Sequence, residues 1–115
     1  MNVSKTLPKN IDGGWKVLRF DGDKMPKDAV FRFRQEGDKI RRFGGGSKTL
    51  KKFFNEEKIS VEEREFLPLL ADAETSRVYV VCGVEISELV KCDESTKRIL
   101  YLSIMKKTKE KGERI

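Results

Sequence analysis

The run Arg77–Val84 (RVYVVCGV) constrains the fold of this 115-residue chain more than any other segment. It is almost continuously apolar and rich in valine, so it reads as a strand that needs cover on both faces rather than on one. A chain of this length makes one domain with a core of moderate size. The cover must therefore come from a few other apolar segments. Trp15–Phe20 (WKVLRF) has strand composition, Leu67–Leu70 is a brief apolar stretch, and Lys97–Met105 (KRILYLSIM) reads as the last strand. Asp21–Asp28 is a turn-rich connector and Asp72–Ser76 a turn.

Two helices fit between these strands. Ser47 is a credible N-cap for a helix from Lys48 to about Glu57, in which Leu50, Phe53 and Phe54 fall at i, i+3 and i+4 and form a buried stripe. Ser60-Val-Glu-Glu63 is a capping box opening a second, shorter helix that must stop before Pro68. The expected class is α+β: a single β-rich domain with one or two short helices packed at one side. It spans residues 15–105, preceded by a flexible lead-in over 1–14 (with Pro8 and Gly13–Gly14) and followed by a charged tail over 106–115 that has no core residues.

Charge is unevenly distributed. Phe31–Lys52 (FRFRQEGDKIRRFGGGSKTLKK) holds eight Lys or Arg and two acids, a charge of +6 that equals the net charge of the whole chain. Phe53–Ile104 is acidic by five. A cationic excess concentrated around a Gly-rich turn suits an anionic partner, with nucleic acid the first candidate. On Val30–Arg34 the alternation places Phe31 and Phe33 on one side and Arg32 and Arg34 on the other. Two accounts fit equally: a half-buried strand whose solvent face is arginine, or two guanidinium groups about 7 Å apart matched to neighbouring phosphates. Gly37–Asp38 suggests a tight turn, after which Lys39–Phe43 (KIRRF) resumes a strand.

Gly44, Gly45 and Gly46 would let backbone N–H groups at a helix start approach a phosphate, with Lys48 adding a point charge. The other account is a flexible loop before an amphipathic helix. GGGSKT is not a Walker A loop, since Ser47 rather than Gly precedes Lys48, and Arg42 stands where the earlier Gly belongs. The expected interface comprises Arg32, Arg34, Arg41 and Arg42 for forked phosphate contacts, with Lys39, Lys48, Lys51 and Lys52 as point charges. It requires that these cations share a single outward patch. Glu56, Glu57, Glu62, Glu63 and Glu65 form a solvated acidic face, and Arg64 among them is expected in a structural ion pair.

No catalytic residue emerges. The chain has no histidine, which removes the commonest general base, the usual metal ligand and every imidazole-based triad. Cys82 and Cys92 are too few and too casually spaced for a disulfide scaffold or a zinc site, and Cys82 reads as a small buried residue. No apolar run approaches the ~20 residues needed to span a bilayer, and MNVSKTLPKN lacks the apolar stretch of a signal peptide. The expectation is a cytoplasmic chain with no membrane partner.

Six pieces stand in order along Val30–Ile104: Arg32/Arg34, Gly37–Asp38, the Gly44–Gly46 loop, Lys48–Phe54, Ile59–Arg64 and Pro68–Leu70. With VYVVCGVEIS after them, this order resembles the C-terminal domain of bacterial tRNA(Ile)-lysidine synthetases. Ser60 stands where that family often has Pro, a departure the capping box makes harmless. The resemblance implies a parent ligase that activates the wobble cytidine of an isoleucine tRNA with ATP and attaches lysine. The S-G-G-x-D-S loop of its N-terminal nucleotide-binding domain does not occur in this sequence. The chain by itself is therefore expected to be non-catalytic and to bind no cofactor, ATP and lysine being used by the catalytic domain. Its implied partners are tRNA, held near the acceptor stem, and that N-terminal domain. The resemblance also implies a fold similar to a module of the phenylalanyl-tRNA synthetase beta subunit. Two readings of other classes compete: a small phosphate or nucleotide site at Gly44–Lys48, and a protein-docking module on the Phe53/Phe54 helix face.

Overall fold

The computed structural model describes Asn2–Ser4 and residues 17–103. Among the described residues, nine strands and two α-helices form two sheets and a helical layer. The smaller sheet contains β1 (Asn2–Ser4), β2 (Leu18–Asp21) and β9 (Ile99–Ser103), with β9 central and antiparallel to both neighbours. The larger holds β3 (Val30–Arg32), β4 (Lys39–Arg41), β5 (Ser47–Thr49), β6 (Leu69–Ala71), β7 (Arg77–Val81) and β8 (Glu85–Ile86). Its order is β3-β6-β7-β4-β5, with β8 also paired to β7. β4 runs parallel to β7, and every other pair is antiparallel.

β7 is the central strand expected of the valine run. β6 lies along one edge, and the other edge is shared by β4 at the start of β7 and β8 at its end. Both faces are covered. Val78, Val81 and Val84 pack with Ile40, Leu50, Phe53, Phe54 and Leu69 under the helices. Tyr79, Val80 and Cys82 pack with Leu18, Phe20, Ile86, Val90 and Leu102 against the smaller sheet. Strict alternation would put Tyr79 and Val80 on opposite faces. A register shift, in which Leu70 faces Val80 but Ala71 faces Val78, inserts Tyr79 as an extra residue and turns both toward the second cluster. Cys82 is fully buried, and burial pushes its thiol up to about 12.

Helix α1 is Leu50–Glu56, shorter than expected, and it buries Leu50, Phe53 and Phe54 as the spacing requires. Its N-cap is Thr49 rather than Ser47: the Thr49 hydroxyl accepts from the Lys52 N–H. Ser47–Thr49 is instead β5, because each of its residues pairs with β4 across a hairpin closed by the three glycines. α1 ends in a Schellman arrangement, with the Ile59 N–H bonded to Phe54 O at 3.0 Å and the Lys58 N–H to Asn55 O at 3.2 Å. Helix α2, Val61–Arg64, opens with the expected Ser60/Glu63 capping box. Asn2–Ser4, expected to be part of a loose lead-in, pairs with β9. The rest of that segment, Trp15 and the charged tail lie outside the described residues.

Candidate nucleic-acid interface

The first cation of the basic segment is not on the surface in the expected sense. Along β3 the alternation is inverted: Phe31 and Phe33 are 47% and 56% exposed, whereas the Arg32 side chain is only 11% exposed. Arg32 makes a fork–fork pair with Asp38, Nη1 to Oδ2 at 2.9 Å and Nη2 to Oδ1 at 3.0 Å. It also donates to the carbonyls of Phe33, Asp72 and Thr75. Asp38 in turn accepts from the Gln35 N–H and closes the turn at Gly37, whose φ of 89° is the left-handed region. A buried carboxylate sets the inversion. Burying Asp38 without a guanidinium partner would cost more than leaving two phenylalanines half-exposed. Arg32 is a structural clamp with its donors spent.

The cations of the β4–β5 hairpin divide between its two faces. Lys39 and Arg41 point away from Ile40, which is buried under α1. Lys48 lies directly across from Ile40 and so shares its face. On that helical side Glu56 binds both Lys48 and Arg42, the latter at 2.9 Å, while the Arg42 guanidinium lies 5.4 Å from the Phe53 ring centroid. Hydrogen bonding from Lys48, and after it from Arg42, holds the Glu56 carboxyl below its usual range against the opposing effect of burial. Arg34 pairs with Glu65 at 2.7 Å, and Arg41 Nε stands 4.0 Å from Glu88. Lys39, Lys51 and Lys52 are exposed and have no ion-pair partner among the described residues. Arg34 and Lys51 line one cleft of about 550 Å³ between the end of β3 and the two helices.

A single patch of eight unencumbered cations is therefore not what the chain builds. One of the eight is internal, four are paired with glutamates, and the remainder sit on more than one face. The pairs of Arg34, Arg42 and Lys48 are surface pairs, which contribute little to stability, so a phosphate can take the carboxylate's place at little cost. Arg64 is structural, though not through an ion pair. It donates to Ile59 O at 2.9 Å and Asn55 Oδ1 at 2.7 Å and lies over Phe54, tying α2 to the end of α1.

Gly44–Gly46 does not precede a helix. The Gly45 N–H bonds to Arg42 O at 3.2 Å, with Gly44 at φ 67°, so the glycines form a hairpin turn separated from α1 by all of β5. The helix-start geometry for a small phosphate is absent, and the Gly44 N–H is bonded to a carboxylate oxygen of Glu88. Phe53 and Phe54 are 0% and 1% exposed, which removes them as a docking face. Among the described residues, the large exposed aromatics are Phe31, Phe33, Phe43 and Phe66, and sequence reasoning missed them. Phe43, next to the glycines and two arginines, had a legible signal in its position. No group of acidic or cysteine residues among the described residues is placed to hold a metal ion, and no helix among them is long and apolar enough to cross a membrane.

Residues 30–103 match the family model described as the TilS substrate C-terminal domain. The chain is similar to the tRNA(Ile)-lysidine synthases of Caldanaerobacter subterraneus subsp. tengcongensis (37% identical over 98 residues, 84% of this chain and 21% of that protein) and Clostridium acetobutylicum (39% over 95 residues, 82% and 20%). The enzyme of that name from Clostridioides difficile is 39% identical over 106 residues, 92% of this chain and 22% of that protein. The chain thus spans about a fifth of the length of the curated relatives it matches. A solved structure described as the crystal structure of a TilS C-terminal domain superposes with a TM-score of 0.61 at 26% identity, covering 87% of this chain and 77% of that one.

Proposed function

From the premise that this chain belongs to the TilS substrate C-terminal domain family, we propose that it is the tRNA-holding part of a cytoplasmic tRNA(Ile)-lysidine synthase. It grips the tRNA near the acceptor stem. A separate catalytic domain of the same enzyme, using ATP and lysine, would convert the wobble cytidine of the isoleucine tRNA to lysidine. The chain itself supplies no reacting group. The observation that carries this reading is the cationic excess of Phe31–Lys52: Arg32 on β3 is buried, and Lys39, Arg41, Arg42, Lys48, Lys51 and Lys52 lie on the β4–β5 hairpin and the exposed side of α1. A-form RNA is recognised through shape, phosphates and 2′-hydroxyls, so cations on a rigid hairpin and helix suffice to hold it.

The test is the salt dependence of tRNA binding by the 115-residue chain. Neutralising about five phosphates gives a log–log slope of about −3.5 to −4.5. Replacing Lys51 and Lys52 together by Gln should make the slope shallower by about 1.4–1.8. Arg32→Gln should lower stability and leave the slope of the folded fraction unchanged. A folded chain that fails to bind tRNA at low salt, or a slope indifferent to Lys51 and Lys52, would overturn the reading.

A further inference from the structure

The tip of the β4–β5 hairpin carries two features that backbone-phosphate binding alone leaves unused. The first is Phe43, 52% exposed, with Lys91 Nζ 5.2 Å from the ring centroid. It forms one wall of a shallow trench of about 300 Å³ that also includes Leu18, Arg19 and Ile86. The second is Glu88. One of its carboxylate oxygens accepts the Gly44 N–H, and the other stands 4.0 Å from Arg41 Nε. An acidic side chain thus sits between a backbone donor and a guanidinium group, the two donor types that most often hold a phosphate oxygen. It is held from the surface, with Arg41 48% and Glu88 27% exposed, so another anion can reach the same donors.

We propose that this tip is a subsite for one unpaired nucleotide, whose base stacks on the Phe43 ring and whose phosphate displaces Glu88 from the Gly44 N–H and Arg41. The inference rests on the RNA-holding reading above and deepens it. An aromatic ring reaches the face of a base only where that base has left the helical stack, which excludes the interior of a duplex. Lys91 lies over one face of the ring, so the base takes the opposite face, and Arg41, two residues before Phe43 in the chain, supplies the charge that meets the phosphate. Glu88 then acts as a specificity residue: its charge opposes any anion that does not also gain the stacking contact.

The test compares binding of the chain to a short blunt RNA duplex and to the same duplex carrying a single-stranded overhang of a few nucleotides. The overhang should tighten binding about tenfold, and a fluorescent purine analogue in it should be quenched on binding. Phe43→Leu should abolish both the increment and the quenching while leaving blunt-duplex affinity within about twofold, and Phe43→Tyr should restore them. Glu88→Gln should tighten overhang binding several-fold. Equal affinity for the two duplexes in the wild-type chain overturns the subsite and leaves the RNA-holding reading intact. Loss of blunt-duplex binding on Phe43→Leu assigns the ring to general docking and overturns the subsite as well. Failure to bind either duplex overturns both readings. Weaker overhang binding by Glu88→Gln makes Glu88 a support of the hairpin and removes its assigned role.

Discussion

At the scale of single residues, two carboxylates decide what the basic segment is free to do. Asp38, 3% exposed, organises the turn that Gly37 permits and fixes Arg32 through a fork–fork pair. Removing one partner of a buried pair leaves the other charge uncompensated, so Asp38→Ala should cost about 3 kcal/mol, read as a lowered urea midpoint at unchanged m-value. Glu56 is the exposed counterpart, bonded to Lys48 and Arg42. Its folded carboxyl titrates below the usual range. The stability it contributes is therefore present above the usual glutamate range and is lost as the pH falls through the lowered folded value. Following its side-chain carboxyl signal by NMR should give a midpoint below that of a glutamate in an unstructured peptide. Lys48→Met should move the midpoint back up; an unmoved midpoint would assign the shift elsewhere.

At the scale of elements, α1 shows both a sequence rule obeyed and one broken. Its apolar spacing at Leu50, Phe53 and Phe54 produces the buried stripe, and Ile59 packs back against it as a Schellman end requires. The residue that must turn left-handed there is Lys58, at φ 59°, where glycine is the common choice. Lys58→Gly should relieve that strain, partly offset by greater freedom in the unfolded chain, for a net gain of roughly 0.5–1 kcal/mol in thermal or urea unfolding. At the other end, Ser47 and Thr49 are both good caps by type. The local pattern could not choose between them. The choice fell to Thr49 because β5 first spends Ser47 and Lys48 on pairing with β4.

At the scale of the whole molecule, β7 is shared by two cores, so neither sheet nor helix layer has an independent interior. Unfolding should be one transition, with far-ultraviolet circular dichroism and tyrosine fluorescence coincident, and Val80→Ala should shift both together. Separated midpoints would show that the smaller sheet melts alone. The same architecture explains which parts of the interface were legible. The charge excess and the exposed lysines Lys51 and Lys52 could be placed from local pattern. The inward turn of Arg32 and the glutamates on Arg34, Arg42 and Lys48 could not, since Asp38 lies six residues from Arg32, Glu65 lies 31 from Arg34, and Glu56 lies 14 from Arg42.

The sequence by itself determined the central strand, the buried stripe of α1, the capping box of α2 and the location of the cationic excess. Each depends on periodicity or on chemistry within a few residues. Tertiary structure alone decided that Arg32 turns inward and which cations meet glutamates, that the glycines close a hairpin instead of opening a helix, and that Glu88 occupies the Gly44 N–H. Those outcomes follow from the cost of burying an unpaired charge and from strand pairing between distant segments, and both are settled only when the chain is folded.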